Sequence, residues 1–543
     1  MRTPSFMLRR AVAMAVMAGM AATGAIGAIA DPAQADTAPA AGTPTTVAAD
    51  ALSTWQVNGV VWSAATVGNT VYATGQFTRA RPPGTNAGDS HEVARANLLA
   101  FDISTGKLLA FNHRLNGPGY RVIASPDGSR IYVGGAFTRV DGRPRAHVAA
   151  FVTATGALDA AFHPSVAGTV RAIAVTSSTV YLGGNFRKVG KAKRIRLAAV
   201  RRRNGALLRW APVADAEVYA LTMSPNRKRV IVGGKFQHLN KKAKVGVGAV
   251  DASTGRSRRW ISQPIPTATN GKYSFVTDLR TYGSVVYGSA DGEGKHWFDG
   301  RFAANANTGA LIWLDNCYGA TYGIFVTGGV VYSVGHAHDC SSLGAFGETT
   351  PITNQRALAE TTAATGHDPA APGAGSHYRH QPIPSLLHWF PTLSPGTFTG
   401  KTQAAWAITG NSRYVALLGE FTKVNGVAQQ GLTRFAIRPL STNKQGPLAS
   451  SVLTPTVTVP SSGSVKVTWR ATWDRDNATL NYRVVRDDGT VVALVPRRSA
   501  FWSRPQMSVT DTGLTAGTTY RYRIQVNDAL GNVLGSSWVS ITA

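Results

Sequence analysis

The chain is poor in acid, in cysteine and in long apolar runs. Its 543 residues carry 28 Asp or Glu against 56 Lys or Arg, a formal net charge of +28. That imbalance points to polyanionic partners. Hydrophobic residues make up 44% of the chain, which excludes wholesale disorder. Two cysteines, Cys317 and Cys340, leave room for a single bridge. Beyond the N-terminus no segment is long and apolar enough to cross a membrane. No Gly-x-Ser-x-Gly elbow, His-Glu-x-x-His helix or phosphate loop occurs, and no stretch reads as an amphipathic helix.

The N-terminus reads as a targeting segment. Arg2, Arg9 and Arg10 precede an apolar run from Ala11 to Ala30, and Ala33-Gln34-Ala35 is a small-x-small cleavage triplet. Cleavage between Ala35 and Asp36 leaves an extracellular, secreted protein; an uncleaved anchor is the rival. Met7 to Val12 match a twin-arginine signal poorly, so the export route stays open. In an exported chain the two cysteines favour a disulfide, worth about 3 kcal/mol for a loop of this size. The rival is a metal site, since His336, His338 and Asp339 crowd Cys340. Those residues are too compact in sequence to supply a whole tetrahedral set from one strand, so no metal and no cofactor is expected.

What the chain has in abundance is one phrase: an apolar pair, two small residues, any residue, then Phe. It occurs at Val71 to Phe77, Ile131 to Phe137, Val180 to Phe186, Val230 to Phe236 and Ala416 to Phe421. Degraded copies stand at Val285 to Asp291 and Val330 to His336. After each intact phrase come a polar turn, a short apolar strand and a Thr-Gly or Asn-Gly turn, as in Leu98 to Gly106 and Val148 to Gly156. A unit is therefore a meander of about four short strands over about fifty residues, the size of a propeller blade. The small residues let backbones approach or permit a bulge, and the Phe reads as a wedge between units. The expected fold is all-β: a seven-bladed β-propeller over 54–438, closed by the strand 432–437. A β-solenoid, or a ring of six or eight blades, is the alternative. Residues 36–53 read as a flexible leader and 439–453 as a linker.

The phrases Gly134 to Gly142 and Leu418 to Gly426 resemble the delta-sixty repeat type of β-propeller, found in secreted bacterial proteins. That resemblance implies a propeller and an extracellular location, and it implies no catalytic residues. Residues 454–543 resemble a fibronectin type III domain. The matching residues are Trp469, the Leu514-x-x-Gly517-x-x-Tyr520 corner, and Asp528 with Gly531-Asn532 in the final hairpin. Such a domain implies a protein partner.

Four features are candidates for chemistry. From Arg187 to Arg259 there are 20 Lys or Arg against Asp215, Glu217 and Asp251. The candidate binding residues in this basic belt are Lys191, Lys193, Arg194, Arg196, Arg201, Arg202, Arg203, Lys241, Lys242 and Lys244. On neighbouring blades they would attract an anionic cell-wall polymer or polysaccharide; otherwise they form a generally basic surface. Tryptophans can stack on sugars. Those recurring at equivalent places read as core, which leaves Trp297 and Trp389 as the binding candidates. A glycosidase-type carboxylate pair has Asp278, Asp291, Glu293, Asp299, Asp315, Glu348 and Glu360 to draw on. Residues 367–400, with His377, His380 and His388, read as a lid or as a surface excursion. The expectation is a monomeric, non-catalytic binding scaffold at the cell envelope or in the medium, with no dedicated nucleic-acid role. The alternative is an extracellular glycoside hydrolase or an accessory protein in polysaccharide degradation.

Overall fold

A computed structural model describes residues 40–265, 273–293, 297–369, 378–448 and 450–543. The signal segment, its Ala35–Asp36 cleavage site and His377 lie outside the described residues. The chain is all-β, with many small antiparallel sheets.

Among the described residues, seven of these sheets share one plan. Each has an innermost strand: Val60–Val67, Gly119–Ala124, Val166–Val175, Val218–Met223, Phe275–Tyr282, Thr321–Thr327 and Ala405–Gly410. A hairpin leads to a middle strand that carries the repeated phrase, and a third strand returns beside it. Each innermost strand touches the next in chain order, and the last touches the first. The sheets therefore form a closed ring, each packed between two neighbours.

The apolar core lies between neighbouring sheets. Phe77, Phe137, Phe186, Phe236 and Phe421 are all buried. Phe137 joins the first sheet to the second, Phe186 the second to the third, and Phe236 the third to the fourth. Phe421 packs between the sixth and seventh sheets, and Phe77 between the seventh and first. Full burial of one such ring stabilises the fold by about 1.5–3 kcal/mol.

Every innermost strand carries a β-bulge opposite the small residues of the phrase or their replacements, and the third has a further irregularity between Ala167 and Gly168. The register slips between Val61 and Ser63, Gly119 and Arg121, Val170 and Ala172, and Val218 and Ala220. It slips again between Val276 and Asp278, Thr321 and Gly323, and Ala405 and Ala407. The second small residue explains itself here. A Cβ at Gly75, Gly135, Gly234, Gly335 or Gly419 would strike the carbonyl oxygen of Val60, Pro118, Glu217, Ala320 or Ala404, respectively. The glycine is needed because the bulge brings that carbonyl onto its Cα.

Of the expected flexible leader, residues 46–52 are anchored. Residues 46–50 are buried. Ala48 N donates to Ala436 O at 2.8 Å and Leu52 N to Arg434 O at 2.9 Å. The N-terminal segment thus pairs with the outer side of Leu432–Ala436, whose other side pairs with Tyr414–Gly419. Its small and β-branched residues can lie flat along a strand that would otherwise be an open edge. The stretch 439–453 is likewise held: Ser441, Thr442, Lys444 and Gln445 all hydrogen-bond the Asp50 carboxylate.

Beyond it, Thr456–Thr458, Ser464–Arg470 and Gln506–Thr512 form one sheet, and Thr479–Arg486, Val491–Arg498 and Thr519–Asn527 the main part of another. Their inner faces share a core around Trp469, Tyr482, Tyr522 and Ile524. Thr515 N donates to Tyr520 Oη at 3.1 Å, which fixes the corner before Thr519–Asn527. Trp473 and Phe501 from this double sheet join Phe346, Phe390 and the buried Cys317–Cys340 pair in a separate apolar cluster. The two sulfurs are bonded, S–S 2.00 Å.

Candidate functional site

Each bulge turns one extra side chain out of the inter-sheet core. In chain order these are Trp62, Tyr120, Arg171, Tyr219, Thr277, Tyr322 and Trp406, and all of them line one cavity of about 450 Å³ at the ring's centre. That volume falls among small-ligand sites, roughly 300–1,000 Å³. The rings follow one another around the wall. Tyr322 lies 4.2 Å from Trp406, Trp406 lies 4.9 Å from Trp62, and Trp62 lies 6.3 Å from Tyr120. The Arg171 guanidinium sits 4.2 Å above Tyr120 and 5.5 Å from Tyr219. Tyr219 then meets Phe275 at 5.3 Å.

A second set comes from the variable residue just before the Phe of the phrase. That place is filled by Gln76, Ala136, Asn185, Lys235, Asp291, His336 and Glu420. Lys235 Nζ stands 4.4 Å from the Phe275 ring centre. His336 is 6.0 Å from Tyr322. Glu420 Oε1 accepts from Trp406 Nε1 at 2.9 Å. Asp291 lines the cavity together with Lys401.

The wall is cationic. Arg171 is paired with Glu217 at 2.6 Å. Arg121, buried, donates to Asp278 at 2.8 Å, and Arg280 reaches the same carboxylate at 3.3 Å. Burial works to raise Asp278, but the two guanidiniums outweigh it and hold the carboxyl below its ordinary value. Two guanidiniums on one carboxylate leave a net positive charge beside the cavity. Burial pushes Asp291 up to about 6, assisted by Glu293 and opposed by Lys235 and Lys401. Burial and the nearby Asp291 hold Asp299 well above the carboxylate range, although its Oδ2 accepts from Gly319 N at 3.0 Å. Burial and Arg356 bring His336 down to about 4.

The sequence-chosen residues fare differently. The basic belt is not one surface. Lys191, Lys193, Lys241 and Lys242 are exposed on hairpins that continue from the phrase. Arg201 and Arg203 are exposed at the opposite end of the sheets, where Arg201 pairs with Thr179. The intervening strand Thr179–Val189 has 11 residues, roughly 30 Å. The remaining members are half-buried and engaged. Arg194 donates to Leu208 O, Arg196 to Ala214 O, Arg202 to Asp127 and Ser129, and Lys244 to Trp260 O.

Trp389 is core, not surface. It is buried with Tyr332 at 5.2 Å and Phe435 at 5.4 Å, just after Leu386 and Leu387 pair with the outer strand of the sixth sheet. Trp297 is half-buried and does not line the central cavity. The tryptophans that do, Trp62 and Trp406, recur at equivalent places and therefore read as core in the sequence. The signal that could have found the site was twofold: a bulky residue interrupting the alternation of six of the seven inner strands, and a variable position inside a constant phrase.

Asp315, Cys317 and Glu360 also converge in the interior. Arg301 bonds both carboxylates and Cys317 is spent in the disulfide, so the arginine supplies the charge that a cation would bring. His338 near Cys340 pairs with Glu348 at 3.0 Å.

No family model matches the chain, and none of the curated proteins matches it. Among solved structures it is similar to the hydrazine synthase of Kuenenia stuttgartiensis, with 12% identity and a TM-score of 0.33 over 56% of this chain and 74% of that one.

Proposed function

We propose that this is an exported, non-catalytic binding protein. Its ring is a seven-bladed β-propeller of the delta-sixty type, followed by a fibronectin type III domain. The propeller captures an extracellular polysaccharide or other anionic polymer in its central cavity. The observation that carries this reading is the continuous series of aromatic faces interleaved with Arg171 and flanked by Lys235 and Lys401. Flat faces stack on sugar rings, and the cations hold the acidic substituents. The exposed Lys191, Lys193, Lys241 and Lys242 would add a salt-sensitive contribution to capture.

The test is retention on isolated cell wall and on a glycan array, comparing the parent protein with Trp62→Ala/Trp406→Ala. The double variant should lose retention while its circular dichroism is unchanged. Equal retention by the two proteins rejects the central cavity as the site.

A second reading has one observation in its favour. Two carboxyl groups beside the cavity, Asp291 and Asp299, are held above the ordinary range, as a general acid for glycoside hydrolysis requires. Turnover of a captured glycan that disappears in Asp291→Asn would establish it.

A further inference from the structure

Resting on the cavity as the saccharide site, we propose that its ligand is a sugar ring bearing a carboxylate, a uronic acid at a chain end, and that Asp291 gates its capture by sharing a proton with that carboxylate. Three features of the cavity lead there.

The first is shape and lining. Six aromatic rings, those of Trp62, Tyr120, Tyr219, Phe275, Tyr322 and Trp406, surround the space. A linear polymer of phosphodiesters and small polyols has no flat face for them to hold, whereas a pyranose does. The closed ring of inner strands also favours entry of a chain end over passage of a chain middle.

The second is charge. Arg171 spends its Nε on Glu217, and Arg121 spends Nη1 on Asp278. Lys235 and Lys401 both act on Asp291, which lines the cavity with Lys401. The positive excess excludes a cationic guest from a lining that would otherwise resemble an aromatic cage, and it selects an anion.

The third is the position of Asp291 itself. It occupies the variable place of the phrase on the middle strand of the fifth sheet, opposite Phe275. The groups acting on it are Lys235 from the fourth sheet, Glu293 after its own strand, Lys401 from the segment before the seventh sheet, and Asp299. Tyr322 on the sixth sheet feels both Asp291 and Asp299. A protonated Asp291 donates its O–H to the ligand carboxylate, forming an acid–carboxylate pair between two ammonium groups. An ionised Asp291 repels the same carboxylate and competes for both lysines. The uronate stays ionised throughout, so the proton on Asp291 is the element that switches. His336, held at about 4, stays neutral over the same interval.

The experiment is calorimetric titration of the mature chain with three probes: a glucuronate-terminated disaccharide, its glucose-terminated counterpart and a glucose phosphate. Each is titrated at about pH 5 and about pH 7.5, on either side of the Asp291 transition. The uronate should bind, and do so on the order of tenfold more tightly at the acidic pH, the scale of one like charge at a half-buried site. The nearly isosteric Asp291→Asn should bind at both pH values with the acid-side affinity. A pH response that survives in Asp291→Asn overturns the gate. Glucose-terminated sugar binding as tightly as the uronate, or the phosphate binding more tightly, overturns the ligand class while leaving the cavity as a saccharide site. Failure of all three probes, together with wall retention unaffected by Trp62→Ala/Trp406→Ala, removes the cavity reading and this inference with it.

Discussion

The fourth and fifth sheets stand side by side and solve the same packing problem with different chemistry. In the fourth, Gly233, Gly234 and Phe236 follow the repeated phrase, and the wedge sinks into an all-apolar seam. In the fifth, Ser289, Ala290, Asp291 and Gly292 take those places, so the wedge is gone. Its interior and that of the sixth sheet hold Asp278, Asp299, Arg301, Asp315 and Glu360, all buried. Arg301 bonds both Asp315 and Glu360. Hydrocarbon is indifferent to direction, but buried ions must be matched partner by partner. Where the repeat decays, therefore, the ring adds a directional core to the apolar one it keeps around Phe298 and Phe302, and that is also where a titrating carboxyl faces the cavity.

The largest expected effect tests that contrast directly. Arg301→Met leaves Asp315 and Glu360 buried beside each other without their cation and should cost about 3–5 kcal/mol in urea unfolding. Making Asp315 and Glu360 apolar as well should recover most of the loss; no recovery would mean that Arg301 acts through its packing. Phe236→Ala in the fourth sheet should cost a comparable 3–5 kcal/mol or so, but no charge substitution should rescue it.

A smaller effect, about 3 kcal/mol, is expected from Cys317→Ser with Cys340→Ser, whose separation is 23 residues. Because Phe346, from the same loop, stacks at 5.2 Å on Phe501 of the C-terminal double sheet, limited proteolysis should show the cuts first at this junction. Cuts confined to the ring would refute that placement.

Acidity gives a subtler probe. Burial raises Asp474 and Asp476, which face each other beneath the N-terminal segment, with Asp474 reaching about 6 from 3.8. A carboxyl raised on folding binds more protons in the native state, so its stabilising influence holds at low pH. That influence is lost as pH climbs through about 6. Thermal midpoints should fall over that interval, and Asp474→Asn should flatten the fall. A midpoint rising with pH there would contradict the assignment. Least of all, Lys241→Glu/Lys242→Glu, on an exposed hairpin, should move stability by less than about 0.5 kcal/mol, while reducing the salt dependence of wall retention.

The meanders and their Phe wedges were legible because five intact copies of one phrase, with two degraded ones, reinforce each other. The Cys317–Cys340 bridge was legible because an even count of two, in a chain expected to be exported, leaves few alternatives. The site was not, because its residues look ordinary in sequence. Trp62 and Trp406 recur in register, as core residues do, and only the bulge rotates them inward. The Lys and Arg of the belt looked contiguous because sequence runs straight through a hairpin, whereas a strand of 11 residues carries its two ends to opposite faces. Trp389 looked irregular because the outer strand it accompanies is reached after an insertion.

One contact near the start of the described chain has a bearing on biogenesis. Ala49 N donates to Asp476 Oδ2 at 2.6 Å, one residue after Ala48 pairs with Ala436. Residues 47–52 therefore find their partners at Tyr332, Arg434, Ala436 and Asp476, all far along the chain. Folding through this clasp must await synthesis through Asp476, so a product terminated before it would keep an unmatched head and be recognisable to quality-control proteases.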